Sequence, residues 1–310
     1  MHTKRLDLQG HRGARGLKPE NTLPSFEAAL DAGVTSIEPD VHLTRDGVPV
    51  LVHDPFVSPR QFRLGPGSTS PPPRPRLLVS TLTLAELRGY RADGNPDAGQ
   101  FPDQDAGVTP LAARFAAARG MAPFAPPTIA DLLAFVEAYA GNEGTRAGKS
   151  EEQRERARQT HFHMEFKRVP FHPELIGDAF NGERPGTLEH QVVNVLRAAG
   201  AVDRTIVRSF DHRCVQAIGQ LEPRLKRAVL LAGTAPIDPV ELVRRAGAQV
   251  CCPDYRFLDV TQVRALQAAN IRILPWTVNQ PEDWERLVSW GVDGITTDYP
   301  DRLAAWFREV

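Results

Sequence analysis

Two carboxylates stand two residues apart in the segment Ser36-Ile37-Glu38-Pro39-Asp40-Val41. In a strand, alternate side chains point to one face, so Glu38 and Asp40 would lie side by side. Neighbouring buried carboxylates repel each other and lose hydration, which is costly unless a cation or a proton compensates. We therefore expect one divalent cation, Mg²⁺ or Ca²⁺, and irregular pairing at Pro39, which has no N–H for the strand ladder. The alternative places both acids exposed at a strand end.

The segment His161-Phe162-His163-Met164-Glu165-Phe166-Lys167 also alternates, with polar side chains at every odd position. Glu165 can add a third carboxylate to Glu38 and Asp40, while Lys167 can meet an anionic oxygen. A surface strand with one wet face would show the same pattern. A barrel strand facing helices on its outside is apolar there, so we expect the polar face to be the interior.

Two histidines follow short apolar runs, His11 after residues 6–10 and His53 after residues 50–52. Both are expected at the carboxyl ends of strands, where barrel active sites are built. A pair of imidazoles can donate and accept protons in one turnover, as hydrolysis of a phosphodiester with an alkoxide leaving group requires. Arg12 adds a planar donor fork suited to phosphate. Either histidine alone is better interpreted as a hydrogen-bonded residue at a strand end. The two together, with the acidic strand between them and Arg12 alongside, favour the catalytic interpretation.

Short β-type runs alternate with helical segments along most of the chain. This alternation predicts an α/β fold, a (β/α)₈ TIM barrel, in a single domain of residues 1–310. The expected helices include residues 23–31, 212–220, 239–246, 261–269 and 281–290. The expected strands are residues 6–12, 36–43, 49–53, 161–167, 205–210, 227–231, 248–252, 271–276 and 293–295. These are nine candidates for eight positions, so at least one is peripheral or not a strand.

Residues from about 56 to 160 interrupt the alternation. Residues 56–80 are rich in Pro, Gly, Ser and Arg and predict no regular element. A second irregular stretch covers residues 91–127 around a helical segment at 110–119, and a polar run covers 141–160. We expect an inserted, loop-rich subdomain, which is either a solvated loop or a lid that selects the substrate.

Composition narrows the classes of partner. The chain has 310 residues, 41% hydrophobic and 24% charged, with 37 basic and 38 acidic side chains. This balance provides no global field for nucleic acid, so a small-molecule partner is expected. Residues 1–9 are too polar for a signal peptide, and no stretch is long and apolar enough for a membrane anchor. Three cysteines, Cys214, Cys251 and Cys252, do not form a secreted disulfide pattern, and a cytoplasmic location is expected.

One set of ordered motifs resembles the glycerophosphodiester phosphodiesterase family. It comprises His11-Arg12-Gly13, Pro19-Glu20-Asn21-Thr22, Phe26, Gly33, Glu38-Pro39-Asp40-Val41, Thr44, Asp46-Gly47 and His53-Asp54-Pro55. Weaker matches follow in order: Glu165-Phe166-Lys167, Ser209-Phe210, Trp276-Thr277-Val278-Asn279 and Asp293-Gly294-Ile295. Residues 126–133 resemble the start of a family helix, whereas the family's usual segment after the second histidine is not recognisable.

The resemblance implies roles for individual residues. Glu38, Asp40 and Glu165 would bind the cation, and His11 and His53 would be the general acid and base, in an order left open. Arg12 and Lys167 would contact the phosphate, and Trp276 would form the wall for the glycerol end unless it is a core residue. The implied substrate is a glycerophosphodiester of choline or ethanolamine, cleaved to sn-glycerol 3-phosphate and an alcohol. The nucleophile is either water or the glycerol 2-hydroxyl.

Two other functions compete with this one. A phospholipase D-like hydrolase of lysophospholipid or sphingomyelin would use a similar pair of histidines, but it needs an apolar entrance, and residues 56–80 have few large apolar side chains. A catalytically silent barrel that binds glycerol phosphates would normally lack one histidine or one acid of the set. The oligomeric state is open.

Overall fold

Eight parallel strands run in order around a nearly closed barrel in the computed structural model, which describes residues 6–309. The chain has twelve named strands within these residues. They are β1 Asp7–His11, β2 Ser36–Glu38, β3 Asp40–Leu43, β4 Pro49–Leu51, β5 Arg63–Leu64, β6 Tyr90–Arg91, β7 His161–Phe166, β8 Thr205–Ser209, β9 Lys226–Leu231, β10 Val250–Pro253, β11 Arg272–Ile273 and β12 Gly294–Thr297.

Helices lie between the strands and around them. They are α1 Leu23–Ala32, α2 Leu84–Leu87, α3 Pro110–Ala118, α4 Ile129–Ala140, α5 Asn142–Arg146, α6 Glu151–Arg158, α7 Thr187–Ala198, α8 His212–Leu221, α9 Pro239–Arg245, α10 Val260–Ala268, α11 Pro281–Trp290 and α12 Pro300–Glu309. Four short 3₁₀ turns complete the set, at Val79–Thr81, Pro173–Leu175, Val202–Arg204 and Tyr255–Phe257. Within residues 6–309, no helix has the length and hydrophobicity that a bilayer span requires.

The barrel order is β11-β10-β9-β8-β7-β2-β1-β12, with neighbouring strands parallel. Backbone hydrogen bonds continue the circle between the chain after β11 and β12. The Thr296 N–H donates to the Pro275 carbonyl at 3.0 Å, and the Val278 N–H donates to the Thr296 carbonyl at 2.9 Å. The predicted (β/α)₈ barrel is therefore confirmed.

The ninth strand candidate, residues 49–53, is outside the barrel. Its strand β4 pairs antiparallel with β3, with Val41 opposite Leu51, in a hairpin that turns at Gly47 with a φ of 77°. The expectation that His53 follows a barrel strand is therefore wrong. The hairpin returns the chain to the barrel mouth instead, where the Val52 N–H donates to the Asp40 carbonyl.

The strand break expected at Pro39 is present. β2 ends at Glu38, and β3 begins at Asp40 and pairs with β7. Residues 36–43 thus form two short strands along one line instead of a single regular strand.

The region from 56 to 160 is more ordered than its composition indicates. A small core of its own, separate from the main core, includes Val57, Phe62, Leu82, Leu87 and Tyr90. The polar run at 141–160 is not a loop, because Ser150 caps the charged helix α6. Helix α4 starts at the predicted place, with Thr128 and Asp131 forming a capping box. The loop-rich description therefore holds for much of 56–107 and is wrong for the polar run at 141–160, most of which is helical.

The three cysteines are buried and free. Cys251 and Cys252 lie on β10 and face opposite sides of the strand, one toward the outer core and the other toward the barrel interior. They pack as small apolar side chains, as expected for strand residues.

Candidate active site

Three carboxylates meet where β2 ends, β3 begins and β7 approaches its carboxyl end. The strand register places His11 beside Glu38 and Asp40 beside Glu165. One oxygen from each of Glu38, Asp40 and Glu165 lies within 4.8 Å of the others. Glu38 and Asp40 are fully buried and Glu165 is 6% exposed, so the alternative of two exposed acids is wrong. We call these three residues the acidic triad.

Three cationic side chains surround the acidic triad. Lys167 Nζ lies 2.5 Å from Glu165 Oε1 and 3.4 Å from Asp40 Oδ1. Arg208 Nη2 lies 2.7 Å from Glu38 Oε1, and Arg12 Nε lies 3.1 Å from Asp40 Oδ2. Burial alone would raise the pKa of Asp40, but Lys167 and Arg12 outweigh it and hold that pKa well below its usual range.

The acidic triad fits a hard divalent cation. Glu38 Oε1 and Asp40 Oδ1 are buried and accept no hydrogen bond, although cationic nitrogens lie near both. Buried oxygens without a donor are costly, and oxygen ligands of this type are those that Mg²⁺ and Ca²⁺ take. These two carboxylate oxygens are therefore free to act as ligands of a cation bound between the three acids.

His11 is oriented by an aspartate from the other end of the chain. His11 Nδ1 lies 2.6 Å from Asp298 Oδ1, and Nε2 lies 3.9 Å from Glu38 Oε2. Burial lowers the pKa of His11 to about 4, although Asp298 opposes the shift. A neutral ring that donates from Nδ1 to Asp298 keeps its Nε2 lone pair available to accept a proton.

His53 has its own carboxylate partner. Its Nδ1 lies 2.7 Å from Asp54 Oδ1, and the His53 side chain is 28% exposed. The backbone carbonyl of His53 lies 3.1 Å from Nε2 of the buried His42, which ties the hairpin to the residue. Both histidines therefore form carboxylate pairs through Nδ1, which leaves Nε2 of each ring for chemistry.

The turn after β1 brings Arg12 back over the acidic triad. Arg12 has a left-handed φ of 52°, and Gly13 follows at 91°. A Cβ on Gly13 would come within 2.4 Å of Ser25 Oγ, which explains why glycine is needed there. Arg12 Nη1 lies 2.6 Å from Glu20 Oε2, so its guanidinium is held by Glu20 as well as Asp40.

The predicted side chains meet at one cavity of about 220 Å³ at the barrel mouth. Its wall includes six of them: His11, Arg12, His53, Glu165, Lys167 and Trp276. Glu38 and Asp40 adjoin this wall through Glu165. Trp276 packs edge-to-face on Phe210 with ring centres 5.5 Å apart, and its indole N–H donates to the Cys252 carbonyl. Trp276 is thus both a wall residue and anchored to the barrel.

A somewhat larger cavity, of about 260 Å³, lies at the opposite end of the barrel. Asp7, His161 and His163 are on its wall, and none of the acidic triad is. Size alone would rank this cavity above the one at the mouth, whereas the side-chain chemistry selects the mouth. We place the active site at the mouth because the paired histidines and the acidic triad meet there.

Several residues of the mouth were not assigned a role from the sequence. They are Arg15, Glu20, Asp54, Arg208, Phe210, Asn279 and Asp298. Asp298 directly follows β12, and an acid at the carboxyl end of a barrel strand is a signal that could have identified it. The sequence does not identify Arg208 in the same way, because an arginine within a strand is as typical of a surface position as of an active site.

Asp298→Asn is expected to lower kcat about 100-fold with little change in KM. Asn279 Oδ1 accepts from the Asp298 N–H and from Thr297 Oγ1, so Asn279 Nδ2 must donate to Asp298 Oδ2. An Asn side chain at 298 would turn its NH₂ group toward the donor Asn279 Nδ2 or toward His11 Nδ1. Either arrangement would displace the His11 ring or change its tautomer. Steady-state kinetics beside the exposed control Asp203→Asn measures this, and an unchanged kcat would rule out an orienting role.

Comparison with known proteins agrees with this geometry. The model of the glycerophosphoryl diester phosphodiesterase family matches residues 11–302. A glycerophosphodiester phosphodiesterase of Caldanaerobacter subterraneus is 25% identical over 301 residues, 96% of each chain. A Silicibacter pomeroyi structure provisionally named as a glycerophosphoryl diester phosphodiesterase is 27% identical with a TM-score of 0.76, covering 99% of this chain and 95% of that one.

A second structure, an Oleispira antarctica phosphodiesterase in complex with its product sn-glycerol-3-phosphate, shares the fold. Its TM-score is 0.67 at 22% identity, over 97% of this chain and 96% of that one. Barrel, histidine pair, acidic triad and relatives together define a phosphoric diester hydrolase. The chain belongs to the glycerophosphoryl diester phosphodiesterase family. The family predicted from the ordered motifs is thereby confirmed.

Proposed function

We propose that this enzyme hydrolyses glycerophosphodiesters of the choline or ethanolamine type to sn-glycerol 3-phosphate and an alcohol, with Mg²⁺ or Ca²⁺ as cofactor. The observation that carries this proposal is the meeting of two carboxylate-paired histidines with Arg12, Lys167 and the acidic triad at one cavity. The product bound to the Oleispira antarctica phosphodiesterase supports the same reaction.

Glu38, Asp40 and Glu165 would hold the cation. When bound, it would supply positive charge that polarises the phosphoryl oxygens. Without it, the acidic triad is balanced by Lys167, Arg12 and Arg208, each within 3.5 Å of at least one of its oxygens. Lys167 bridges Glu165 and Asp40 and lines the cavity, so its ammonium would contact a substrate phosphate there.

His11 and His53 would share the proton transfers. One ring takes a proton from the nucleophile through Nε2, and the other gives a proton to the leaving alkoxide. Asp298 and Asp54 fix the ring orientations and stabilise the imidazolium form of each. The assignment of acid and base between the two rings stays open, as does the choice between water and the glycerol 2-hydroxyl.

Trp276 and Phe210 would form the wall against the carbon skeleton of the glycerol. Their rings meet at 75° and leave an apolar face on a cavity otherwise lined mainly by charged groups. Such a face packs against C–H groups while the phosphate meets the cationic side.

The phospholipase D-like alternative gains support from the mouth itself. Residues 56–80 contribute little apolar surface, but Phe171 is 79% exposed on the loop after β7 and Ile237 is fully exposed on the loop after β9. These side chains could meet the acyl chain of a lysophospholipid. The catalytically silent alternative has no such support, because both histidines and all three acids are present.

A substrate panel distinguishes the two hydrolase functions. We expect kcat/KM for glycerophosphocholine and glycerophosphoethanolamine to exceed that for lysophosphatidylcholine and sphingomyelin at least about tenfold. The measurement is release of choline or ethanolamine and of sn-glycerol 3-phosphate from each compound. Turnover of the lysophospholipid with none of the water-soluble diesters would select the phospholipase D-like function instead.

A further inference from the structure

Four of the six exposed large apolar side chains lie at one end of the barrel. Within residues 6–309 the six are Leu64, Val108, Val169, Phe171, Ile237 and Phe257. Four of them, which we call the apolar rim, lie on loops that follow barrel strands: Val169 and Phe171 after β7, Ile237 after β9 and Phe257 after β10. Leu64 and Val108 lie in the insertion between β4 and β7. The rim therefore shares the barrel end that carries His11.

The loops of the apolar rim are joined to one another and to the insertion. Gly177, on the loop after β7, packs so close to Ser80 of the insertion that a Cβ there would come within 2.7 Å of the Ser80 Cβ. The Arg213 guanidinium lies 4.3 Å from the centre of the Phe171 ring. Gln262 Nε2 donates to the Pro236 carbonyl and so links helix α10, which follows the β10 loop, to the loop after β9.

Two rim residues leave most of their surface in solvent. Ile237 is fully exposed and Phe171 is 79% exposed. Phe171 has a left-handed φ of 66°, which a bulky side chain rarely adopts, and the structure holds the ring outward at this cost. Apolar tips on separate loops suit a fluid apolar phase better than a protein partner, which would need a continuous patch.

Residues 56–80 of the adjoining insertion carry a local excess of positive charge, although Arg63 pairs with Asp93 of the same insertion. Residues 56–80 contain four arginines, Arg60, Arg63, Arg74 and Arg76, all exposed, and no Asp or Glu. Arg74 and Arg76 pair with no carboxylate of residues 6–309. The whole chain has a formal charge of only -1, so this excess is local. Such a surface complements anionic phosphates arranged in a plane.

We propose that the mouth end of this enzyme docks reversibly on an anionic lipid bilayer. The apolar rim enters the boundary between head groups and acyl chains, and the arginines of residues 56–80 contact lipid phosphates. This goes beyond the proposed hydrolysis, because it places the active-site opening at a lipid surface whichever head group is cleaved. It requires neither a membrane-spanning helix nor a covalent lipid.

Sedimentation with vesicles tests the docking. The full-length protein is expected to bind phosphatidylcholine vesicles that contain phosphatidylglycerol, to bind pure phosphatidylcholine vesicles more weakly, and to be released by salt. The double variant Phe171→Ser/Ile237→Ser should lower the partition coefficient about tenfold or more on both kinds of vesicle. Arg74→Gln/Arg76→Gln should lower it about tenfold on the anionic vesicles alone.

The control is a second double variant that removes two arginines elsewhere on the surface. Arg224 and Arg245 are exposed and lie after α8 and at the end of α9, at the barrel end opposite the mouth. Arg224→Gln/Arg245→Gln changes the net charge equally and should leave vesicle binding unchanged. Absence of binding to anionic vesicles at low salt, or equal losses in both arginine pairs, would overturn the proposal.

Hydrolysis of glycerophosphocholine in solution separates this proposal from the catalytic one. None of the six substituted positions lines the cavity of His11 and His53, so all three double variants should keep the wild-type rate. A protein that binds vesicles without turning over any diester would contradict only the proposed function. A protein that hydrolyses the diester and ignores anionic vesicles would contradict only the docking.

Discussion

His11→Ala is expected to lower kcat/KM for glycerophosphocholine about 1,000-fold or more, because it removes one of two proton-transfer groups. The ring is 8% exposed and held on Asp298, so neither His53 nor bulk water can take over its position. Cation binding should survive, since His11 is not a member of the acidic triad and its Nε2 is 3.9 Å from Glu38.

His172→Ala is the matched control for this variant. His172 lies on the loop after β7 with 59% of its side chain exposed, and among residues 6–309 its one ionic partner is the exposed Glu174. Its loss should leave kcat/KM within about twofold of wild type. If His11→Ala retained comparable turnover while both variants were folded by circular dichroism, His11 would not be an acid or a base of the reaction.

Asp40→Asn is expected to weaken divalent-cation binding at least about 100-fold and to lower turnover in parallel. Asp40 is fully buried, and its carboxylate adjoins Glu165 across the β3–β7 pairing. The amide keeps the size of the side chain and can still accept from Asn21 Nδ2, which lies 2.8 Å from Asp40 Oδ2. The variant should therefore fold, but with one anionic ligand fewer.

Calorimetric titration of EDTA-treated protein with Mg²⁺ and with Ca²⁺ measures this loss directly, without relying on activity. Glu241→Gln is the control, since Glu241 lies on α9 with a side chain 51% exposed, and Arg245 is its one ionic partner in the described part of the chain. Equal cation affinities for wild type and Asp40→Asn would mean that the acidic triad is balanced by Lys167, Arg12 and Arg208 alone. Metal-independent hydrolysis would then be the better account.

Strand alternation predicted the acidic triad because it depends only on local geometry. Glu38 and Asp40 share a face despite the break at Pro39, and Glu165 joins them because β3 pairs with β7. The polar interior face of β7 was predicted on the same basis. These positions follow from the pleat of a strand and the order of strands around a barrel.

Local sequence patterns could not predict the contacts between the first and last strands, where the barrel closes. Asp298 meets His11 although 287 residues separate them, and this contact exists only because β12 pairs with β1. The route of His53 was also misread, since an apolar run before a histidine does not distinguish a barrel strand from the second strand of a hairpin. The core of the insertion was missed because Pro and Gly dominate residues 56–80, while the apolar residues that build it are widely spaced in sequence.

Release of sn-glycerol 3-phosphate from glycerophosphocholine by purified protein, after EDTA treatment and after return of Mg²⁺ or Ca²⁺, tests the central claim most directly. The account predicts no release in EDTA, recovery with one of the two cations, and no recovery in His11→Ala. Absence of release with either cation, from protein shown to be folded, would contradict glycerophosphodiester hydrolysis by this site. Release that persists undiminished in EDTA would contradict the assignment of the acidic triad as the cation site.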